Sequence, residues 1–161
     1  SDYSRAIISS LSTGGAEKIE RGHVIRMKRQ ELISRDGPKM FFILDESVLY
    51  RKIGGNSVMH DQLVRIKELA AHPNLSIQIL PFSAGAHVGM QRSFEVFELS
   101  EEPSNYALLL EGIRDDKLFA EPSAETAEYV HIFQQLEKLA LPAADTPMVI
   151  DERLSELNEN T

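Results

Sequence analysis

Asp45-Glu46 follows the apolar run Met40-Phe41-Phe42-Ile43-Leu44. Carboxylates at a strand end are well placed for acid–base work. Neighbours at i and i+1 point apart, however, and no nucleophile is tied to this pair by spacing, so helix capping or a surface position is the competing role. Ser83 precedes Gly85 without a G-x-S-x-G elbow, and no order of Ser, Asp and His follows from spacing. The histidines His23, His60, His72, His87 and His131 form no HxH, HxxxH or HExxH pair, and cysteine is absent, so neither a metal site nor a cofactor is expected. Gly54-Gly55-Asn56 before a helix offers N–H groups that attract anions. Lys52 precedes these glycines where a P-loop lysine would follow, and the same residues suit a tight turn and cap. No pattern of catalysis emerges, and the chain is not expected to be an enzyme.

The elements that would position these residues centre on 75–89. Leu75, Ile77 and Ile79 alternate with Ser76 and Gln78, the period of a half-buried strand. Pro81 stops it, having no N–H for a ladder. The small residues Ser83, Ala84, Gly85, Ala86 and Gly89 then surround His87, and both glycines can take φ > 0. This is either the rim of a pocket or contact surface, or a tight connection.

Around that stretch the periodicity predicts helices over 2–11 and 16–34, a strand over 40–44 buried on both faces, and a helix from 56 to about 72. Asn56 or Ser57 should cap that helix, with Met59, Leu63, Ile66 and Ala70 facing in. Strand, helix and the 75–80 strand form a βαβ unit. Strands at 93–99, 106–111 and 117–120 read as antiparallel, with turns at Glu101-Glu102-Pro103-Ser104-Asn105 and Asp115-Asp116. A long helix after Pro122 should bury Ala127, Val130, Phe133, Leu136 and Ala140; a last one should bury Ile150, Leu154 and Leu157, with a frayed tail at 158–161. The expected fold is α+β: a mixed sheet of about five strands covered by helices, with N-terminal helices in 1–35, a sheet core in 39–120 and C-terminal helices in 123–158.

At 161 residues one domain with a sizeable core is expected. No apolar run approaches a membrane span and no signal segment precedes the first helix, so a cytoplasmic protein without membrane contact is expected. Residues 1–92 carry 13 Lys and Arg against 9 Asp and Glu, and residues 93–161 carry 4 against 16. The overall charge of −8 makes the chain a poor ligand for phosphate. Lys18, Arg21, Arg26, Lys28, Arg29 and Arg35 concentrate positive charge near the second helix. With Glu17, Glu20 and Glu31 interleaved, this is either a solvated face or a patch for an acidic partner or for DNA near a tethered reader.

Three blocks carry a resemblance: Leu44-Asp45-Glu46-Ser47-Val48-Leu49, Gly54-Gly55-Asn56-Ser57-Val58-Met59-His60-Asp61-Gln62-Leu63, and Leu80-Pro81-Phe82-Ser83-Ala84-Gly85-Ala86-His87. In order and spacing they resemble the C-terminal domain of WhiJ-like transcriptional regulators of actinomycetes, a domain of unknown function that follows an XRE-type helix-turn-helix. Asp2-Tyr3-Ser4-Arg5-Ala6 and Arg26-Met27-Lys28-Arg29-Gln30 also fit, so the likeness covers nearly the whole chain. It implies a regulatory effector domain that is not itself DNA-binding, with its helix-turn-helix expected upstream of Ser1. It also implies a small BldB-like partner protein, in an antitoxin-like arrangement, or a small-molecule effector; a homodimer is open.

On this reading Glu46, Tyr50, Arg51, Gln62, Phe82, Ser83, Gly85 and His87 form the ligand or partner rim. They follow or flank the carboxyl ends of the two parallel strands, where open α/β units place their ligands. The alternative is a small hydrolase or transferase using Asp45, Glu46 and His87.

Overall fold

The computed structural model describes residues 2–11, 15–34, 36–101, 105–111 and 116–159. Gly14 as a helix end, Arg35 in the basic run, the turn at 102–104, Asp115 in the hairpin and the tail at 160–161 lie outside the described residues. The chain divides into two compact units, residues 1–79 with 141–161, and residues 80–140.

In the first unit, α1 (Asp2–Leu11) packs on α2 (Ala16–Gln30). Their approach is close because Gly22 has no side chain: a Cβ there would lie 3.3 Å from Ile8 Cδ1. Arg5 adds an exposed ion pair to Glu20 at 3.4 Å. α2 stops at Gln30, four residues short of the span that periodicity suggested. β1 (Met40–Asp45) pairs in parallel with β2 (Leu75–Leu80), and α4 (Asn56–Ala70) links them as expected. Between β1 and α4 the chain makes one short helix, α3 (Ser47–Tyr50), which the sequence reading left unassigned. The cap of α4 also differs: Gly55, at φ 89°, is the N-cap, and Asn56 and Ser57 already lie inside the helix.

The core joins Leu49, Met59, Leu63, Ile79, Ile150 and Leu157, all buried, with Leu44, Ile66 and Leu154 packed against it. Met59, Leu63 and Ile66 confirm the stripe read on α4, and Ile150, Leu154 and Leu157 the one read on α6 (Thr146–Glu159). β1 departs from expectation. It is not buried on both faces, and Phe41 and Phe42 are 55% and 40% exposed. A two-stranded sheet leaves its outer strand at an edge, where neither face is fully covered.

The second unit contains a three-stranded antiparallel sheet, β3 (Phe94–Glu98), β4 (Tyr106–Leu110) and β5 (Lys117–Phe119), in the order β3-β4-β5. Val96 faces Leu108, which in turn faces Phe119. α5 (Ala124–Leu139) packs on β3 and β4, and Phe94 meets Tyr129 edge to face at 4.9 Å between ring centres. Ser123 caps α5, its hydroxyl accepting from Thr126 N–H at 3.1 Å. Leu136 is buried and Val130, Phe133 and Ala140 are half-buried, but Ala127 is exposed and Thr126 takes the buried position.

Among the described residues the fold is therefore α+β with five strands, but in two sheets rather than one. The reason lies on the far edge of β2. Leu141 N–H donates to the Ile79 carbonyl at 2.8 Å and the Thr146 hydroxyl to the Ile77 carbonyl at 2.6 Å, so the edge where a third strand would add is taken. Gln78 completes the seal, its side chain donating to the Leu141 carbonyl at 3.0 Å. No helix among the described residues is long and apolar enough to cross a membrane.

Candidate binding site

The eight residues read as one rim fall on both units. Glu46, Tyr50 and Arg51 lie on or beside α3, and Gln62 is half-buried on α4. Phe82, Ser83, Gly85 and His87 lie on the loop 81–91 of the second unit.

Around α3 the chemistry is structural. Asp45 Oδ1 accepts from Ser47 N–H at 2.9 Å, which makes the carboxylate a cap for the first turn of α3. Arg51, exposed, ends that turn by donating its N–H to the Ser47 carbonyl at 3.3 Å. Tyr50 lies under the Arg153 guanidinium, 4.4 Å from ring centre to Cζ. Desolvation, then the Glu156 and Glu46 carboxylates, raise the Tyr50 hydroxyl above its ordinary value, and Arg153 pulls the other way. Phenol, guanidinium and carboxylates form one cluster in which acidic groups outnumber the single cation.

The loop of the second unit is different in kind. It runs through two 3-10 turns, Phe82–Ala84 and Val88–Met90. Gly85 between them adopts φ 67°, ψ −146°, a conformation essentially confined to glycine. A Cβ on Gly89 would lie 3.0 Å from Leu136 Cδ1, so this glycine lets the second turn settle on α5 without itself needing φ > 0. Gly85 thus permits the reversal between the two turns, and Gly89 seats the second of them on α5. Phe82, Val88 and Met90 stand out from the loop, 59%, 45% and 69% exposed, while His87 is half-buried. Beside Val88 a cavity of about 190 Å³ is lined by Arg92, Phe94, Glu128, Tyr129 and Ile132. It offers an aromatic wall with one cation and one carboxylate.

The α4 N-terminus borders a hollow of about 170 Å³ with Asn56, Ser57 and His60 on its wall. Among the described residues no three His, Asp or Glu side chains gather as metal ligands. Several histidines are engaged locally: His72 Nδ1 accepts from Asn74 N–H at 3.2 Å, His131 meets Gln135 at 3.0 Å, and His60 lies 3.3 Å from Asp61.

Residues 1–152 match a domain of unknown function, DUF5753. The chain belongs to the DUF5753 family. Neither curated proteins nor solved structures provide a match to it.

In this DUF5753 domain sequence reasoning passed over the residues that hold the first unit together. Arg153 is only 8% exposed; its Nε donates to the Leu49 carbonyl at 3.1 Å and its Nη1 pairs with Glu156 at 3.0 Å. The signal was present. Arg153 falls three residues after Ile150 and four before Leu157, on the apolar stripe of α6, where a charge must have a buried partner. Thr146 and Gln78 had no such signal, because their partners, Ile77 and Leu141, are more than sixty residues away in the chain.

Proposed function

We propose that this DUF5753 domain is the partner- or effector-binding module of a WhiJ-like helix-turn-helix regulator, and that it makes its contact through the loop 81–91. The carrying observation is the exposure of Phe82, Val88 and Met90 within nine residues of a loop seated on α5 through Gly89. Large apolar side chains clustered on one surface loop supply area that is removed from water when a partner docks, which suits recognition. The partner that the resemblance implies is a small protein like BldB, encoded nearby, or a small molecule seated in the adjoining cavity. DNA contact belongs to the separate helix-turn-helix, consistent with the charge of −8 on this chain.

The test pairs melting temperature with affinity, measured calorimetrically against the neighbour-encoded small protein. Phe82→Ser and Met90→Ser should weaken binding by about tenfold or more, equivalent to about 1.4 kcal/mol, with melting unchanged. His87→Ala should weaken it less. Gly85→Val should lower stability by about 1–3 kcal/mol, because valine is strained in that conformation. Unaltered affinity in both serine variants would move the contact surface elsewhere.

A further inference from the structure

Among the described residues, one edge of β1 carries no strand. Met40 N–H donates to the Asn74 carbonyl at 2.8 Å, so Met40 faces β2, and by alternation so do Phe42 and Leu44. The backbone groups of Phe41 and Ile43 point the other way, and among the described residues no strand pairs with them. β2 is treated differently, since Leu141 and Thr146 seal its far edge. Native sheets blunt free edges with charge or proline. Met40 through Leu44 contain neither, and Phe41 and Phe42 are both exposed there.

We propose that β1 pairs antiparallel with β1 of a second copy across a two-fold axis at Phe42, giving a four-stranded sheet in the order β2-β1-β1-β2. Charge complementarity selects this register. Centring on Phe42 sets Lys39 opposite Asp45 of the second copy at both ends, Met40 opposite Leu44, and Phe41 opposite Ile43. The outward-facing backbones of Phe41 and Ile43 then make the hydrogen-bonded pairs, and the two Phe42 residues form the non-hydrogen-bonded pair on the axis. Centring on Phe41 or Ile43 also aligns outward-facing groups, but it separates Lys39 from Asp45. This dimer needs nothing from the loop 81–91, and either reading can fail without the other.

Sedimentation equilibrium of the 161-residue chain over the micromolar range should give twice the monomer mass. Ile43→Pro removes an N–H that β2 does not use and should return the monomer. The chain has no cysteine, so single cysteines report the register. At a non-hydrogen-bonded pair the Cα atoms lie about 4.5 Å apart, within disulfide reach. Phe42→Cys should therefore cross-link on oxidation with glutathione disulfide, while Phe41→Cys, on the opposite face and two residues out of register with its own copy, stays monomeric on a non-reducing gel. A wild-type chain that is monomeric throughout, or Phe41→Cys linking in preference to Phe42→Cys, overturns the proposal. Should Ile43→Pro fail to fold, the cysteine pair still decides.

Discussion

Arg153 Nε donates to the Leu49 carbonyl at 3.1 Å while its guanidinium lies over the Tyr50 ring, so one side chain of the last helix fixes both the end of α3 and the start of the loop into α4. Arg153→Met keeps most of the apolar stem but leaves the Leu49 carbonyl without its donor. The loss should be about 1.5–3 kcal/mol in urea unfolding, as for a buried bond to a charged donor. Arg153→Lys should recover only part, because an ammonium lacks the planar fork that bonds and stacks at once. Equal stability of wild type and Arg153→Met would show that solvent already supplies that carbonyl.

Thr146 is fully buried, and its hydroxyl bond to the Ile77 carbonyl at 2.6 Å closes the edge of β2. Thr146→Val has nearly the same shape without the donor and should cost about 1–3 kcal/mol. Thr146→Ser should cost less, since it keeps the bond and loses one methyl. The ordering of the two variants in a thermal melt is the readout, and valine above serine would refute the edge-sealing role.

His23 is buried against the α1–α2 pair, and its Nδ1 has no hydrogen-bond partner among the described residues. Desolvation, then Arg5, lower its pKa below the ordinary 6.5, and Glu20 and Asp2 only partly oppose this. The unfolded chain therefore binds a proton at a pH where the folded one does not. Stability is complete above about pH 6.5 and declines as pH falls toward the lowered native value. Melting temperature of the wild type should drop between pH 6.5 and 5, and His23→Leu should flatten that slope. Parallel curves for the two proteins would place the titration elsewhere.

Phe42 and Leu63 test where the first core is. Leu63 is fully buried, and Leu63→Ala should cost about 2–5 kcal/mol. Phe42 looks like a core residue in the sequence, but at its observed exposure Phe42→Ala should cost about 1–2 kcal/mol. Denaturant melts at one fixed protein concentration compare them, and a larger loss at Phe42 than at Leu63 would contradict the packing.

Periodicity in the chain already specified α4, α6 and β2. Met59 and Leu63, then Ile150 and Leu157, recur at helical spacing, and Leu75, Ile77 and Ile79 at strand spacing; all are buried. The glycine at 85 was also legible, since a small-residue turn after Pro81 leaves few residue types able to take its φ. His87 and Phe82 could be placed on that loop from sequence, but which of them projects depends on packing beneath the loop, against Leu136. The grouping of eight residues on one rim rested on the carboxyl ends of the two parallel strands; β1 and β2 do pair in parallel, and the eight residues divide between the two units.

What the sequence alone determined is most of the elements, α3 excepted, because helical and strand periods are properties of residues a few positions apart. Which edges those elements leave open was decided only in three dimensions. Met40-Phe41-Phe42-Ile43-Leu44 reads the same whether or not a strand lies beside it. Only the arrival of Leu141 and Thr146 on β2, from the far end of the chain, closes that edge of the sheet and confines any further pairing to β1. Such contacts follow from the total burial and hydrogen bonding of the chain, and no local pattern encodes them.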